Sequence, residues 1–537
     1  MKPERCDIVI VGSGFAGSIL ARILASRGRE VMLVERGIHP RFALGESSTP
    51  LASLSLERLA TTYGLDDLGA LAAYGRWGRE LPQLRRGLKR GFTFCQHRPG
   101  RPYENGQAND SRLLVAASPD DEIADAHWLR SDVDAFLVKK AVEAGVAYRP
   151  GTRLDAFSEE DGAVLASGEG PEGAVALRAR FLVDATGGEG YIARALEIPF
   201  VRLEAAPTRL VFGHFEGVPD FAPLAREGGA HLDPGPYPDD RAAVHHLLEE
   251  GWLYALPFDP DPSGEGHSEV RRVSAGLLTR GGGPPLPGEA DAAWEEVLRR
   301  YPSLEACFGA ARPTQPVTQV ADLAYQRAAA SGEHWLLLPH AYAFFDPLFS
   351  TGIAWSLVAV ERVAQMLLAS REAVPGRGDL KRYEDLLRRE AAQIHDLVEG
   401  AYLAMGSGGS FERFAAVAAL YFAAVSFREL AQRLLDPPAA GWAWEGFLGA
   451  TDPVSRAFVH EARRRLTGGQ ESDAFTAWAR SAIASRNAIG LADPRRRNLY
   501  PVDLEVLLDN SHLFGLSRPE MESRLPRLRG RGVVGIG

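Results

Sequence analysis

The chain predicts an α/β fold in three parts: an N-terminal nucleotide-binding βαβ unit, an inserted antiparallel sheet and a helical C-terminal region. Three observations predict it. Residues 7–36, DIVIVGSGFAGSILARILASRGREVMLVER, run a β-branched stretch, a glycine turn, a helical period and a second apolar stretch in immediate succession. From about residue 200 to 316 the pattern changes to short alternating runs separated by Pro- and Gly-rich loops. After about Gly376 the periodicity is helical to the end, with breaks at Gly406–Gly409, Pro437–Pro438 and Gly468–Gly469.

In the first unit, Asp7–Val11 reads as a strand and Gly12-Ser13-Gly14-Phe15-Ala16-Gly17 follows at once. Gly12 permits the tight turn, Gly14 lets backbone approach a pyrophosphate, and Gly17 lets helix pack on strand. Ser18–Arg27 carries Ile19, Ile23 and Leu24 at helical spacing, Gly28 ends the helix, and Val31–Val34 is the second strand. The helix N-terminus offers free N–H groups to phosphates. Glu35 closes the second strand, where a carboxylate accepts hydrogen bonds from ribose hydroxyls. This is a Rossmann-like dinucleotide site, with NAD and FAD both open on these residues alone.

Composition narrows the class. A chain of 537 residues exceeds one ordinary domain, and 45% hydrophobic with 24% charged residues is ordinary for a soluble protein. A net charge of −10 argues against a general nucleic-acid binder. Basic clusters at Arg463–Arg465, Arg495–Arg497 and Arg524–Arg531 read better as solvated faces and a tail than as sites for an anionic partner. Cys6, Cys95 and Cys307 are widely spaced, which suggests neither a disulfide framework nor a metal cluster and fits a reducing cytoplasm. Cys6 is expected in the core. Met1–Arg5 leads straight into the first strand, leaving no room for a signal peptide. The longest apolar stretch, Phe414–Phe427, is expected to be a buried helix too short to span a bilayer.

Along the chain, Gly45-Glu46-Ser47-Ser48-Thr49-Pro50 puts a carboxylate and three hydroxyls on one loop ahead of a helix over Leu51–Tyr63, with Ser47 or Ser48 as N-cap. Gly91–His97 alternates as a strand, and Lys89 precedes it as either a solvated charge or a functional amine. Ser131 is the expected N-cap of a helix over Asp132–Ala144, with Arg130 just ahead. Ala163–Ala166 and Ala174–Leu177 suit a hairpin, and Phe181–Val183 a further strand running into Asp184-Ala185-Thr186-Gly187-Gly188. Arg209–Phe215, Gly251–Pro257 and Glu269–Leu278 are the strands of the insert, with little helix before Asp291–Tyr301. Trp335–Leu338 is an apolar strand, 339–352 (PHAYAFFDPLFSTG) is irregular, and a helix follows over Ile353–Leu368.

The combination of Gly12–Gly17 with Glu35, the Gly45–Pro50 loop, Asp184–Gly187 and Asp346–Gly352 (DPLFSTG) resembles the FAD-dependent monooxygenase superfamily, and the second and fourth motifs resemble its flavin-dependent halogenase branch. The resemblance covers roughly residues 5 to 370. It implies a discontinuous FAD-binding domain over 1–85, 126–199 and 318–370, a sheet-rich substrate domain over 86–125 and 200–317, and a helical region over 371–537. It further implies FAD, supplied as FADH2, contacting Gly12, Gly14, Gly17, Glu35, Glu46, Ser47, Arg130, Asp346 and Ser350. The backbone N–H groups of Thr351 and Gly352 would hold chloride or bromide, a nest of donors without a buried countercharge.

Lys89-x-Gly91-x-x-Phe94 is similar to the segment that carries the halogen-directing lysine in family members acting on phenols and pyrroles. Burial would depress the pKa of such a lysine and make its amine nucleophilic. Against the family tunnel motif WxWxIP, the chain has Trp252-Leu253-Tyr254-Ala255-Leu256-Pro257, which keeps Trp252 and Pro257 and puts Tyr254 at the second aromatic position. Pro339-His340 stands where the family usually carries Gly-Asp, which argues for weaker flavin holding, and His340 is a candidate base or a structural residue. Phe349 stands where tryptophan halogenases carry glutamate, which argues against free tryptophan.

The reading that results is a two-component halogenase acting on a small phenolic or pyrrolic ring, free or carrier-bound, with a separate flavin reductase as partner. No metal, nucleic acid or membrane span is expected. A flavin monooxygenase or dehydrogenase/reductase of the same fold, favoured by the half-kept Trp252–Pro257 motif, and a flavin-binding scaffold without turnover are the alternatives.

Overall fold

The computed structural model describes residues 2–262, 271–280, 286–406, 409–435 and 442–529. Glu269 and Val270 of one expected strand, Ser407 and Gly408 within one expected break, Pro437–Pro438 and the end of the Arg524–Arg531 run lie outside the described residues.

The β-branched N-terminal run forms a strand over Glu4–Val11, buried at its C-terminal end, and Val31–Val34 pairs with it in parallel. The connecting helix is Phe15–Ser26, and its apolar face lies in the core. These elements belong to a seven-stranded sheet of order Ala147–Arg149, Val31–Val34, Glu4–Val11, Gly173–Asp184, Ala163–Gly170, Arg153–Glu160. Trp335–Leu337 pairs with the last three residues of Gly173–Asp184. The expected separate strand at Phe181–Val183 is therefore wrong. One 12-residue strand first closes the hairpin with Ala163–Gly170 and then runs parallel to Glu4–Val11. Nothing at residues 178–180 marks a break, because continuity there rests on pairing with two partners on opposite sides.

A nine-stranded sheet holds Thr208–Glu216, Ala243–Leu247, Gly251–Pro257 and Arg272–Arg280 together with Gly91–Gln96 and Arg112–Ala116 from earlier in the chain. The Asp291–Tyr301 helix is Ala290–Arg300, and a short helix over Phe221–Glu227 precedes it. Late in the chain Leu499–Tyr500 adds to the far edge of this sheet, in parallel to Leu114–Val115. The remainder of the C-terminal region is helical.

Arg86–Lys89 and Asp125–Trp128 form a separate two-stranded antiparallel ribbon. Lys89 is thus the last residue of a strand and is fully buried, rather than a charge ahead of one. Two expected caps are also corrected. The Pro50–Tyr63 helix is capped at Thr49 without a side-chain hydrogen bond, because Ser48 Oγ is taken by the Ala126 N–H. The helix expected over Asp132–Ala144 starts at Arg130, one residue before Ser131, whose hydroxyl donates to Asp132 instead. Cys6 is only partly buried, since it lies in the exposed half of its strand.

Two helices, Gly352–Ala369 and Phe411–Leu435, are long and apolar enough to cross a membrane, and 78% of each apolar window is buried inside the protein. Phe414–Phe427 is therefore part of a longer continuous helix than its composition suggests. The helix contains a π-helical segment over Leu420–Ser426, a geometry that recurs at functional sites. A buried Arg362–Glu390 ion pair ties Gly352–Ala369 to the 29-residue Arg377–Met405 helix.

Candidate functional site

A cavity of 1120 Å³ runs along the C-terminal ends of the parallel strands, lined from Gly12, Gly14 and Gly17 to Trp252, Tyr254 and Ser350. It exceeds the roughly 300–1,000 Å³ of pockets that take drug-sized ligands, as an extended dinucleotide requires.

At the strand end, Gly12 has φ +101°, and a Cβ there would lie 2.5 Å from the Ala185 carbonyl oxygen. A Cβ on Gly17 would lie 2.1 Å from the Gly12 carbonyl oxygen. Gly14 differs: a Cβ there would meet only Arg130 at 3.4 Å and Asp134 at 3.9 Å. Two glycines therefore serve the turn and the third serves the cavity it lines. Glu35 accepts from the Ser13 N–H at 3.0 Å and the Gly37 N–H at 2.9 Å and pairs with Arg41 at 3.1 Å. Burial raises its pKa, but Arg41 and the Gly37 and Ser13 donors more than cancel that, so the net shift is downward and the carboxylate stays ionised.

Arg130 also lines the cavity. It forms a bidentate pair with Asp134, at 2.9 and 2.7 Å, and donates to the carbonyls of Leu44 and Gly45. It thereby holds the start of the Gly45–Pro50 loop. That loop is where the layers meet. Glu46 accepts from His214 Nε2 of the nine-stranded sheet at 3.0 and 3.2 Å, with both residues buried. Ser47 bridges to His127 and accepts a hydrogen bond from Ser350 Oγ at 3.2 Å. Two motifs three hundred residues apart are thus in direct contact.

Ser350 sits at φ +52°, a left-handed conformation costly for a residue with a side chain. The turn it makes starts the Gly352–Ala369 helix, and no protein acceptor takes the N–H of Thr351 or Gly352 among the described residues. His340 Nε2 is buried without a hydrogen-bond partner and packs against Gly352, where a Cβ would lie 2.9 Å away. Burial, with Arg130 adding to it, lowers the His340 pKa to about 4, so the ring is neutral at neutral pH. Free donors and an orphaned ring nitrogen at the end of a dinucleotide-sized cavity fit a cofactor ring and an anion.

Four expected site residues do not reach the cavity wall: Asp346, Thr351, Pro257 and Lys89. Asp346 turns inward, accepting from the Leu348 N–H at 2.9 Å and the Tyr402 hydroxyl at 2.7 Å. Burial raises its pKa to about 6 against the opposing Arg280 and Tyr402. Tyr402 also accepts from Trp252 Nε1 at 3.0 Å, so a tyrosine of the C-terminal helices couples the tunnel tryptophan to the DPLFSTG aspartate. A Tyr402→Phe variant leaves Trp252 Nε1 and Asp346 Oδ2 buried without this hydroxyl partner, and is expected to cost about 1–3 kcal/mol for each in urea unfolding. A loss below about 1 kcal/mol in total would show that the relay carries no weight.

Lys89 Nζ donates to the Ser48 carbonyl at 2.6 Å and lies 4.0 Å from the centre of the Phe92 ring. It is one layer behind the cavity, beyond the Gly45–Pro50 loop. The residues that no motif announces are His127, His214, His245 and Tyr402. Each reaches the site through strand register or helix packing, and a local sequence pattern carries no signal of either.

Residues 10–50 match the NAD(P)-binding Rossmann-like domain. The tetracycline 7-halogenase of Kitasatospora aureofaciens is 30% identical over 376 residues, 68% of this chain and 63% of that protein. The chain belongs to the flavin-dependent halogenase family. A second halogenase of this family, the monodechloroaminopyrrolnitrin halogenase PrnC of Pseudomonas fluorescens, is 28% identical over 67% of this chain and 61% of its own length. The chain thus spans about three fifths of these curated relatives. The crystal structure of the halogenase PltM with phloroglucinol and FAD superposes with a TM-score of 0.81 over 92% of this chain and 99% of that one, at 21% identity, and so shares the fold. That likeness extends the common architecture of the halogenase family into the C-terminal helices, beyond the motifs.

Proposed function

We propose that the protein is a two-component flavin-dependent halogenase that uses reduced FAD, oxygen and chloride or bromide on a phenolic or pyrrolic ring. The observation that carries the reading is one cavity joining the Gly12–Gly17 turn to the Ser350–Gly352 turn, with the buried amine of Lys89 behind the loop between them. Bound reduced FAD would supply the electrons that, with oxygen and halide, yield hypohalous acid. Gly12, Gly14, Gly17, Glu35 and Arg130 would hold the adenosine and pyrophosphate end, and Glu46, Ser47 and Ser350 would flank the ring.

The N–H groups of Thr351 and Gly352 would hold the halide. Trp252 and Tyr254 would keep the organic substrate apart from the flavin, and Lys89 would receive the halogen and direct it. Such an enzyme would be cytoplasmic and served by a separate flavin reductase, with the aromatic substrate free or attached to a carrier.

The test is an assay with reduced FAD, oxygen, bromide and a panel of phenols and pyrroles, comparing wild type with Lys89→Ala. Brominated product is expected from wild type and at least about a 100-fold loss in Lys89→Ala, with FAD binding unchanged. Hydroxylated product alone would replace halogenation with monooxygenation. Equal bromination by both proteins would remove Lys89 from the mechanism.

A further inference from the structure

His340 belongs to the short helix Pro339–Tyr342, which follows the strand Trp335–Leu337 and puts His340 and Ala341 on the cavity wall. Its backbone is held from two sides. The Leu338 N–H donates to the Asp184 carbonyl, and the His340 carbonyl accepts from the Tyr325 hydroxyl. The imidazole stands edge-on to Phe344, at 5.6 Å between ring centres, and to Trp355 of the Gly352–Ala369 helix, at 6.4 Å. A ring packed in this way has little rotamer freedom left to lose when it meets a ligand.

The edge that the ring turns to Gly352 carries the argument. A Cβ on Gly352 would lie 2.9 Å from Nε2 and 3.0 Å from Cε1, so this edge rests against the first residue of the helix. Nε2 is buried and has no hydrogen-bond partner. Beside it, the N–H groups of Thr351 and Gly352 have no protein acceptor among the described residues. Three nitrogens at one turn are thus left for a ligand, since buried polar groups are costly without partners. An anion can satisfy all three. The backbone groups donate, and a neutral imidazole donates from Nε2 when its proton sits there.

We propose that His340 is a third donor to the halide, its Nε2–H completing the site begun by the N–H groups of Thr351 and Gly352. The aspartate usual at this position in the family only accepts hydrogen bonds when ionised, so histidine here replaces an acceptor with a donor. Burial keeps the ring neutral at neutral pH, and a bound anion selects the tautomer protonated on Nε2. The inference rests on the halide site of the proposed function, and its test needs no turnover.

Chloride is titrated into FAD-loaded protein at constant ionic strength, with binding read from the broadening of the chloride NMR signal. His340→Leu, which removes the donor, is expected to weaken chloride binding about tenfold or more, the scale of a hydrogen bond to a charged group. His340→Gln, whose side-chain amide donates, is expected to stay within about threefold of wild type. FAD affinity, measured by fluorescence in chloride-free buffer, is expected to be unchanged in both variants. Should His340→Leu fail to fold, wild-type protein labelled at its histidines gives the same answer. The His340 Nε2 signal, identified by its absence in His340→Gln, is expected to move on chloride addition, and an unmoved signal overturns the inference.

Chloride binding that is equally tight in wild type and His340→Leu overturns the inference and leaves the backbone halide site standing. Weaker FAD binding in His340→Leu, with chloride binding unchanged at saturating FAD, gives His340 to the cofactor and also overturns it. Absence of chloride binding in wild type removes the halide site and the halogenase reading together.

Discussion

Gly14→Val is expected to fold with nearly wild-type stability and to bind FAD about 100-fold more weakly or not at all. The reason is the division of labour within the glycine turn. A Cβ on Gly14 meets only the ends of the Arg130 and Asp134 side chains, at 3.4 and 3.9 Å. The Gly14 backbone is extended, with φ −65° and ψ 173°, a conformation a β-branched residue adopts without strain. The added methyls therefore project into the cavity where the pyrophosphate would lie against the backbone.

A 100-fold loss is about 2.7 kcal/mol, a modest figure for removing close backbone approach to a charged group. His340 in place of the family's aspartate sharpens the expectation, because this turn then supplies a larger share of the cofactor affinity. Fluorescence titration with FAD, alongside a thermal melt, measures both halves. Gly17→Ala is the contrast: with 2.1 Å between its Cβ and the Gly12 carbonyl oxygen, the helix must move off the strand and the melt falls. Unchanged FAD affinity in Gly14→Val would place the cofactor elsewhere.

The second large effect lies far from the turn. Arg362 and Glu390 are fully buried and bonded at 2.6 and 2.9 Å. Arg362 also donates to the carbonyls of Ala443 and Glu445, and Glu390 accepts from Trp355 Nε1 and the Phe447 N–H. One pair thus joins the Gly352–Ala369 helix to the Arg377–Met405 helix and to the segment after residue 442. Arg362→Leu strands a buried carboxylate and is expected to cost about 3–5 kcal/mol in chemical unfolding. Arg362→Leu combined with Glu390→Leu is expected to recover much of that, because no buried charge is left unpaired. A single variant within about 1 kcal/mol of wild type would mean that water or a rearranged neighbour satisfies Glu390. Since the Gly352–Ala369 helix begins at the proposed halide site, loss of this pair is also expected to loosen the Ser350–Gly352 turn.

The residues of the first unit were legible in sequence because their information is local. Glycine spacing, a helical period and a terminal acid within thirty residues specify strand, turn, helix and strand, and the structure has Val31–Val34 at those limits. Motif order along the chain likewise announced the family. Lys89 was singled out by its neighbours at Gly91 and Phe94, yet its strand was not, because Arg86–Lys89 has only Asp125–Trp128 to pair with. Asp346 was assigned to the cofactor by its motif and instead faces Tyr402, a residue more than fifty positions later.

The sequence by itself determined the dinucleotide-binding turn, the cavity-lining glycines and family membership, since each depends on backbone conformations set by adjacent residues. Only the tertiary structure decided which groups answer one another: Ser47 with Ser350, Glu46 with His214, Trp252 through Tyr402 to Asp346, and Lys89 with the Ser48 carbonyl. Those partnerships depend on strand register and on burial. A shift of one residue in register would turn Lys89 to the other face of its ribbon, away from the Ser48 carbonyl.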